Sequence, residues 1–224
     1  MIIAVDGPAG SGKSTISKLL AKELGLVYLD TGAMYRLFTL KILKENISFS
    51  DSDKINELLE NLNINIENDR FYLDEKDVSE EIRKTDIAEN VSKTAAIKEV
   101  REKMVNLQRE FSKSKNVILD GRDIGTVVFP KADIKIFLVA DAKERAERRF
   151  KELQEKGENI SLDSIYENIL KRDRLDSTRE TSPLKKANDA IEVDTTGKNI
   201  EEVKNIILNL YINKDKRNNE NLMI

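Results

Sequence analysis

The sequence of 224 residues contains neither cysteine nor histidine. Without cysteine, the chain can form no disulfide bond and no zinc site built from thiolates. Without histidine, it has no imidazole base that titrates near neutral pH, so the mechanisms that need such a base are excluded. The sequence also lacks a run of 18 apolar residues and an apolar signal segment at its N-terminus. We therefore expect a soluble, cytoplasmic protein.

The charges are nearly balanced, with a formal net charge of −3. Since no overall basic field favours binding to nucleic acid, we expect no nucleic-acid partner. We also expect no membrane partner, and we expect the protein to be a monomer. Hydrophobic residues make up 39% of the chain, which is enough for a complete core. At roughly 150 residues per domain, the length fits one domain with an insertion, or one and a half domains.

The most specific motif lies near the N-terminus, between a β-type apolar run at 2–6 and an amphipathic helical pattern. It consists of Gly7, Pro8, Ala9, Gly10, Ser11, Gly12, Lys13, Ser14 and Thr15. This is the phosphate-binding loop G-x-x-x-x-G-K-[ST], whose glycines allow backbone N–H groups to surround phosphate oxygens at a helix N-terminus. Lys13 can reach the outer phosphates, and the Ser14 hydroxyl can bind Mg²⁺. The motif predicts ATP as a substrate with Mg²⁺ as its cofactor; a flexible Gly/Ser turn would not explain the flanking strand and helix.

The remaining pattern predicts an α/β protein with the P-loop NTPase fold, a five-stranded parallel sheet flanked by helices. Later strands are predicted at 26–29, 116–119, 134–139 and 190–193. Helices are predicted at about 13–24, 33–45, 51–61, 85–114 with a break near 98, 142–156, 161–178 and 199–212. Residues 62–66 alternate between apolar and polar, Asn68-Asp69 is a turn signal, and the run at 70–73 follows. Together they predict a small antiparallel insertion at 62–82. The polar tail at 213–224 predicts disorder.

Two further segments follow predicted strands and each contains an arginine beside a glycine. They are Asp30-Thr31-Gly32-Ala33-Met34-Tyr35-Arg36 and Asp120-Gly121-Arg122-Asp123. Because the carboxyl ends of parallel strands meet at one edge of a sheet, Arg36 and Arg122 can hold a second anion opposite ATP. A surface position for Arg36, and a salt bridge from Arg122 to Asp120 or Asp123, are the alternatives.

Six more arginines lie between 145 and 179, where they could either bind phosphate or form a solvated helical face. They are Arg145, Arg148, Arg149, Arg172, Arg174 and Arg179. The guanine-reading sequence Asn-Lys-x-Asp of GTPases is absent, and the chain is short for a motor or AAA-type ATPase. A small phosphotransferase fits best. A kinase for UMP or a non-nucleotide metabolite, and a regulatory ATP-binding switch, remain alternatives.

These motifs together resemble the bacterial cytidylate kinases. The resemblance runs from residue 1 to about 212 and rests on the P-loop, the Asp30–Arg36 and Asp120–Pro130 segments, and Arg145-Ala146-Glu147-Arg148-Arg149. It implies an enzyme that transfers the γ-phosphate of ATP to CMP or dCMP. It also implies a core at 1–30 and 84–212 with a mobile lid at about 148–180, and a CMP-binding region at 31–83 with its β insertion at about 62–82.

The resemblance also implies roles for individual residues. The CMP-binding positions would be Thr31, Arg36, Ser92, Arg101, Arg122, Asp123, Arg172 and Asp176. The residues acting on the transferred phosphate would be Lys13, Arg122, Arg172 and Arg179, and Arg148 would lie over the adenine of ATP. Cytosine presents an amino donor beside two acceptors, so the carboxylate of Asp123 and the hydroxyl of Ser92 suit its amino group and Arg101 suits its acceptors.

Overall fold

The computed structural model describes residues 1–67, 69–155 and 157–221, and for 213–221 it describes the backbone. The strands are β1 (Ile2–Asp6), β2 (Val27–Asp30), β3 (Ile64–Glu67), β4 (Arg70–Leu73), β5 (Lys76–Asp77), β6 (Val117–Gly121), β7 (Ile134–Val139) and β8 (Ile191–Asp194). The helices are α1 (Lys13–Leu24), α2 (Thr31–Lys44), α3 (Ser52–Glu60), α4 (Thr85–Ala96), α5 (Lys98–Ser112), α6 (Ala142–Glu155), α7 (Leu162–Thr178) and α8 (Ile200–Asn221). A 3₁₀ turn spans Glu81–Arg83, and a π-helix spans Ile124–Val128.

The central sheet is five-stranded and parallel, which confirms the predicted fold class. Its order is β2-β6-β1-β7-β8, with β1 in the middle. Residue Ile3 of β1 pairs with Ile118 of β6 on one side and Ile134 of β7 on the other. The loop after β1 therefore leaves the sheet at its centre, where parallel sheets carry their ligands.

Helices cover both faces of the sheet, which is why its inner strands are almost continuously apolar. On one face, Ala4 packs in a cluster with Phe38 of α2 and Met104 of α5. On the other face, Val5 packs in a cluster with Leu20 of α1. Successive β1 side chains thus point to opposite layers, as the period of a strand requires.

The second sheet is small and antiparallel, in the order β3-β4-β5, and it lies inside the segment predicted as an insertion. Its residues Phe71 and Leu73 are buried in a cluster with Leu37 and Leu40 of α2. The insertion is therefore anchored to the helix that follows the second strand of the central sheet. The predicted break near 98 is confirmed, because Ile97 has an extended backbone between α4 and α5.

The last helix is longer than the one predicted at about 199–212, because the backbone of α8 is helical to Asn221. The predicted disorder of the tail at 213–224 stays a prediction. Val203 and Ile207 dock the first half of α8 on the core, and a helix that is already nucleated extends at little cost. Residues 222–224 lie outside the described part. Among the helices described, none combines the length and apolar character that a membrane crossing requires.

Candidate active site

A cavity of about 360 Å³ opens at the carboxyl ends of β1, β2 and β6. Of the residues proposed from the sequence, its lining includes Ala9, Gly10, Lys13, Ser14, Thr31, Arg36, Ser92, Arg101, Arg122, Asp123, Arg172, Asp176 and Arg179. These residues span more than 160 positions of the chain, so the fold brings the P-loop and the second set of arginines into one site. The proposed positions Gly7, Pro8, Ser11, Gly12, Thr15 and Arg148 are not part of the lining.

The P-loop takes the conformation that its glycines permit. Gly7 has a φ of 151°, and a Cβ there would lie 2.1 Å from the carbonyl oxygen of Leu138. Only glycine fits between β1 and β7 at this point. Gly12 has a φ of 88° at the start of α1, which allows the loop to turn into the helix. The N-terminus of α1, with its partial positive charge, therefore faces the cavity.

Lys13 is buried at the centre of the P-loop. Its Nζ donates to the carbonyl oxygen of Pro8 at 2.7 Å and reaches the Ser11 hydroxyl at 3.5 Å. Burial, and then the nearby Arg122 guanidinium, lower the pKa of Lys13 below its ordinary value. A polyphosphate bound in the loop would place negative charge next to the Lys13 ammonium group. The free site is therefore preorganised for an anion.

The Ser14 hydroxyl points at a carboxylate that the sequence reasoning did not assign. It donates to one oxygen of Asp120 at 2.8 Å, and the Tyr28 hydroxyl donates to the other oxygen at 2.6 Å. Asp120 is buried, and burial, followed by the charge of Asp30, raises its pKa. The position of Asp120 at the end of a predicted strand was the signal that could have identified it. The contact with Tyr28 joins two separate strands and had no sequence signal.

Asp176 lies among the arginines that the sequence analysis suggests for a second anion. Its carboxylate accepts from Arg122 Nε at 2.8 Å, lies 3.7 Å from an Arg179 nitrogen, and receives the Ser92 hydroxyl at 3.5 Å. Burial alone would raise the pKa of Asp176, but these guanidinium groups hold it below its ordinary value. Arg122 therefore pairs with Asp176, and its predicted alternatives, Asp120 and Asp123, are not the partners found.

Arg172 lies close enough to Arg122 and Asp176 to interact with their charges. Its Nε is buried with no hydrogen-bond partner among the described residues. Burial, and then Arg122, lower the pKa of Arg172 to about 10. Several guanidinium groups thus face one carboxylate, which leaves positive charge at this end of the cavity for a bound anion.

Arg101 and Asp123 form a buried ion pair that lines the cavity. Arg101 Nη2 donates to Asp123 Oδ2, and Arg101 Nη1 donates to the carbonyl oxygen of Ala95 at 3.0 Å. The Arg101 guanidinium also lies 5.3 Å from the centre of the Tyr35 ring. Tyr35 lines the cavity but was not proposed from the sequence, although it lies within the Asp30–Arg36 motif.

Arg36 and Thr31 line the cavity on the side of α2. Arg36 donates to Asp30 at 2.8 Å, and its side chain is 26% exposed, so it is not the surface residue of the alternative prediction. The Thr31 hydroxyl donates to the carbonyl oxygen of Asp120 at 2.7 Å. The Thr31 hydroxyl is therefore already hydrogen-bonded to the backbone of β6. The Arg36 guanidinium remains within reach of a ligand in the cavity.

The three arginines of α6 lie in different surroundings. Arg145 is buried and contacts the P-loop, where it donates to the carbonyl oxygen of Ala9 at 2.8 Å. Arg149 lines the cavity although it was not proposed as a site residue. Arg148 contacts Glu144 and the Thr195 carbonyl oxygen instead, and the structure does not bring it together with the cavity residues.

The sequence of this chain is similar to those of known proteins. The model of the family described as Cytidylate kinase matches residues 3–213. The protein "Cytidylate kinase" of Fusobacterium nucleatum subsp. nucleatum is 58% identical over 92% of this chain and 95% of its own length. The protein of the same name from Clostridioides difficile is 53% identical over 91% of this chain and 94% of its own length.

A solved structure adds support for the fold alone. The crystal structure of an uncharacterized protein from Eubacterium ventriosum aligns over 94% of this chain and 97% of its own, with a TM-score of 0.52 and 13% identity.

Proposed function

We propose, since this chain belongs to the cytidylate kinase family, that it transfers the γ-phosphate of ATP to CMP or dCMP and forms ADP and CDP or dCDP. The observation that carries this proposal is the single cavity that holds both a P-loop and a second, arginine-rich anion site. The P-loop supports binding of the donor triphosphate, and the arginines around Asp176 support binding of the acceptor phosphate.

The transfer depends on positioning and charge neutralisation more than on proton abstraction. The acceptor atom is an oxygen of a phosphate that is already an anion, which suits a chain without histidine. Lys13, Arg122, Arg172 and Arg179 all line this cavity, which supports their proposed contact with the transferred phosphate. Fixed positive groups in a water-poor site stabilise charge that develops in the transition state.

Arg36 is the further guanidinium that supports acceptor binding, because it lines the cavity beside Arg122. We place the proposed lid, at about 148–180, on α6 and α7, which contribute Arg149 and Arg172 to the lining of the cavity. Its closure would exclude water and so limit hydrolysis of ATP. Arg148 as an adenine contact remains a proposal without a supporting contact at the cavity.

The donor set fits a magnesium ion. Ser14 and Asp120 would hold it, because hydroxyl and carboxylate oxygens are the ligands that Mg²⁺ prefers. The described residues contain no cluster of three or more carboxylates that could hold a metal ion. A magnesium ion at Ser14 and Asp120 would take its other ligands from phosphates and water. When bound, the ion would neutralise phosphate charge. The polar contact between Ser14 and Asp120 is the observation that supports it.

The Arg101–Asp123 pair supports cytosine as the base of the acceptor nucleotide. One oxygen of Asp123 is paired with Arg101, and the side chains of both residues line the cavity. The carboxylate can accept from the cytosine amino group while the guanidinium donates to the ring acceptors. Uracil would set a carbonyl against the same carboxylate and leave it unpaired, which disfavours UMP.

We expect Asp123→Asn to reduce the preference for CMP over UMP. Loss of the charge removes a hydrogen bond worth roughly 1.5–3 kcal/mol for CMP. The new amide can donate to the uracil carbonyl, so UMP should lose little activity. The measurement is the ratio of kcat/KM for CMP to that for UMP, which does not depend on the fraction of folded enzyme. If this ratio stays constant while both activities fall, Asp123 only orients its neighbours.

We expect Arg122→Lys to weaken the use of CMP more than the binding of ATP. Lysine keeps the charge but loses the fork that contacts Asp176 and would hold the acceptor phosphate. Separate titrations of the two substrates give the two effects. A loss confined to ATP, or an equal loss for both substrates, would contradict an acceptor site at Arg122.

One coupled assay tests the proposed function against its alternatives. ATP is supplied with CMP, dCMP, UMP or AMP, and ADP formation is followed. Rapid turnover with CMP or dCMP alone supports the proposal, and a preference for UMP or AMP points to another acceptor. Slow ATP hydrolysis that no acceptor accelerates would favour a regulatory ATP-binding switch. Size-exclusion chromatography tests the monomeric state, which is part of the proposal together with a cytoplasmic location.

A further inference from the structure

The carboxylate of Asp6 is a buried group that the proposed reaction does not use. Asp6 ends β1, and its side chain accepts two backbone hydrogen bonds from the segment after β6. One oxygen accepts from Ile124 N–H at 2.8 Å, and the other accepts from Gly125 N–H at 2.7 Å. These two N–H groups lie at the N-terminal end of the π-helix, where the helix supplies no acceptor of its own.

The close approach of Asp6 depends on Gly125. A Cβ at position 125 would lie 3.3 Å from an Asp6 carboxylate oxygen and 3.1 Å from Cδ of Lys135. Lys135 cannot move away easily, because its Nζ donates to the carbonyl oxygen of Pro130 at 2.6 Å and to Asp189 at 2.8 Å. Because position 125 carries no side chain, the start of the π-helix can lie directly against the Asp6 carboxylate.

The other end of the π-helix is held by a charge of opposite sign. Arg109 of α5 donates to the carbonyl oxygen of Val128 at 3.0 Å and to that of Val127 at 2.9 Å. A carboxylate at the N-terminal end and a guanidinium at the C-terminal end both match the helix dipole. A five-residue π-helix is an uncommon element, so external contacts of this kind are what can hold it in place.

The π-helix matters because of its neighbours in the sequence. Arg122 and Asp123 immediately precede it, and both line the cavity. Asp6 in turn immediately precedes Gly7, the first residue of the P-loop. A single buried carboxylate thus connects the strand that carries the donor site to the segment that carries the acceptor-site groups.

We infer that Asp6 is a positioning residue, which fixes Arg122 and Asp123 against the P-loop and so contributes to the recognition of the pyrimidine monophosphate. This inference rests on the proposed function, because it concerns the same acceptor site. Asp6 itself does not line the cavity, and it acts through the backbone of Ile124 and Gly125.

The ionised form of Asp6 is the one that can serve both N–H groups. Burial raises the pKa of Asp6 to about 6, while the bonds from Gly125 and Ile124 oppose that rise. Asp123 also raises this pKa and Lys13 lowers it. Assays at pH 8 therefore keep the carboxylate ionised, so that both of its oxygens accept.

The test compares Asp6→Asn and Gly125→Ala with Asp133→Asn at pH 8. Asn offers one acceptor oxygen where two N–H groups need one each, and the alanine methyl group would push the turn away from Asp6. Asp133 is the matched control, because it also accepts a backbone N–H of β1, that of Ile2 at 2.7 Å, at the opposite end of the strand. For each protein, KM and kcat are measured for CMP, UMP and ATP, together with thermal unfolding.

We expect KM for CMP to rise about tenfold in both test variants, the change that corresponds to one hydrogen bond to a charged group. The CMP-to-UMP ratio of kcat/KM should fall, and KM for ATP should change much less. The control should keep wild-type values. Reduced thermal stability with an unchanged KM for CMP and an unchanged ratio would overturn the inference, as would equal effects in the control.

Failure of the proposed function gives a different result. If wild-type protein forms no CDP or dCDP, the function itself is wrong. If wild-type protein forms CDP and the variants keep its selectivity, only the role of Asp6 is wrong. Should Asp6→Asn fail to fold, Gly125→Ala decides, because it keeps the carboxylate and moves only its partner.

Discussion

Replacement of Lys13 by alanine should nearly abolish CDP formation and leave the fold intact. Lys13 Nζ lies in the P-loop, 2.7 Å from the Pro8 carbonyl oxygen, where it can reach the outer phosphates of ATP. Loss of one preorganised charge contact to a transition state typically reduces the rate on the order of 100-fold or more. Burial and Arg122 lower the pKa of this amine, so its removal from the free protein should cost little stability.

The measurement is kcat for CDP formation, with circular dichroism and thermal unfolding as checks of the fold. Lys22→Ala is the matched control, because Lys22 lies on the same helix but is exposed. The control should keep wild-type turnover. Near-normal turnover of the Lys13 variant would contradict the assignment of the P-loop as the donor site.

Replacement of Arg101 by methionine should destabilise the protein by about 3–5 kcal/mol, the usual cost of leaving a buried charge without its partner. Arg101 is only 2% exposed, and Asp123 loses its ion-pair partner when the guanidinium is removed. Urea denaturation measures the change in the free energy of unfolding. Lys98→Met on the same helix is the control, because its pair with Glu102 is exposed and should contribute less than about 1 kcal/mol.

A double variant separates stability from substrate recognition at this pair. Arg101→Met combined with Asp123→Leu replaces both charges by apolar groups, which can restore much of the lost stability. If the pair reads cytosine, the double variant should regain stability and still discriminate poorly between CMP and UMP. Recovery of both stability and CMP selectivity would show that the pair only supports the fold.

The prediction of the fold from the sequence succeeded where the signal is local. The parallel strands, the helix break at Ile97 and the antiparallel insertion follow from short apolar runs, alternation and turn residues. The P-loop could be assigned because its glycines, Lys13 and Ser14 are adjacent in the chain. The π-helix at Ile124–Val128 was not predicted, because its five residues contain no periodic pattern that distinguishes it from a strand or a loop.

The class of fold, the triphosphate-binding loop and the segments proposed to supply a second anion site could thus all be predicted from local patterns of residues. Which side chains contact one another could be seen only once the chain had been folded in three dimensions. Arg122 pairs with Asp176, which lies 54 residues away, and Asp6 accepts from Ile124 across 118 residues. Arg148, in turn, faces Thr195 rather than the cavity. Such partners depend on how crossover connections bring distant segments together, and a pattern of neighbouring residues does not encode that geometry.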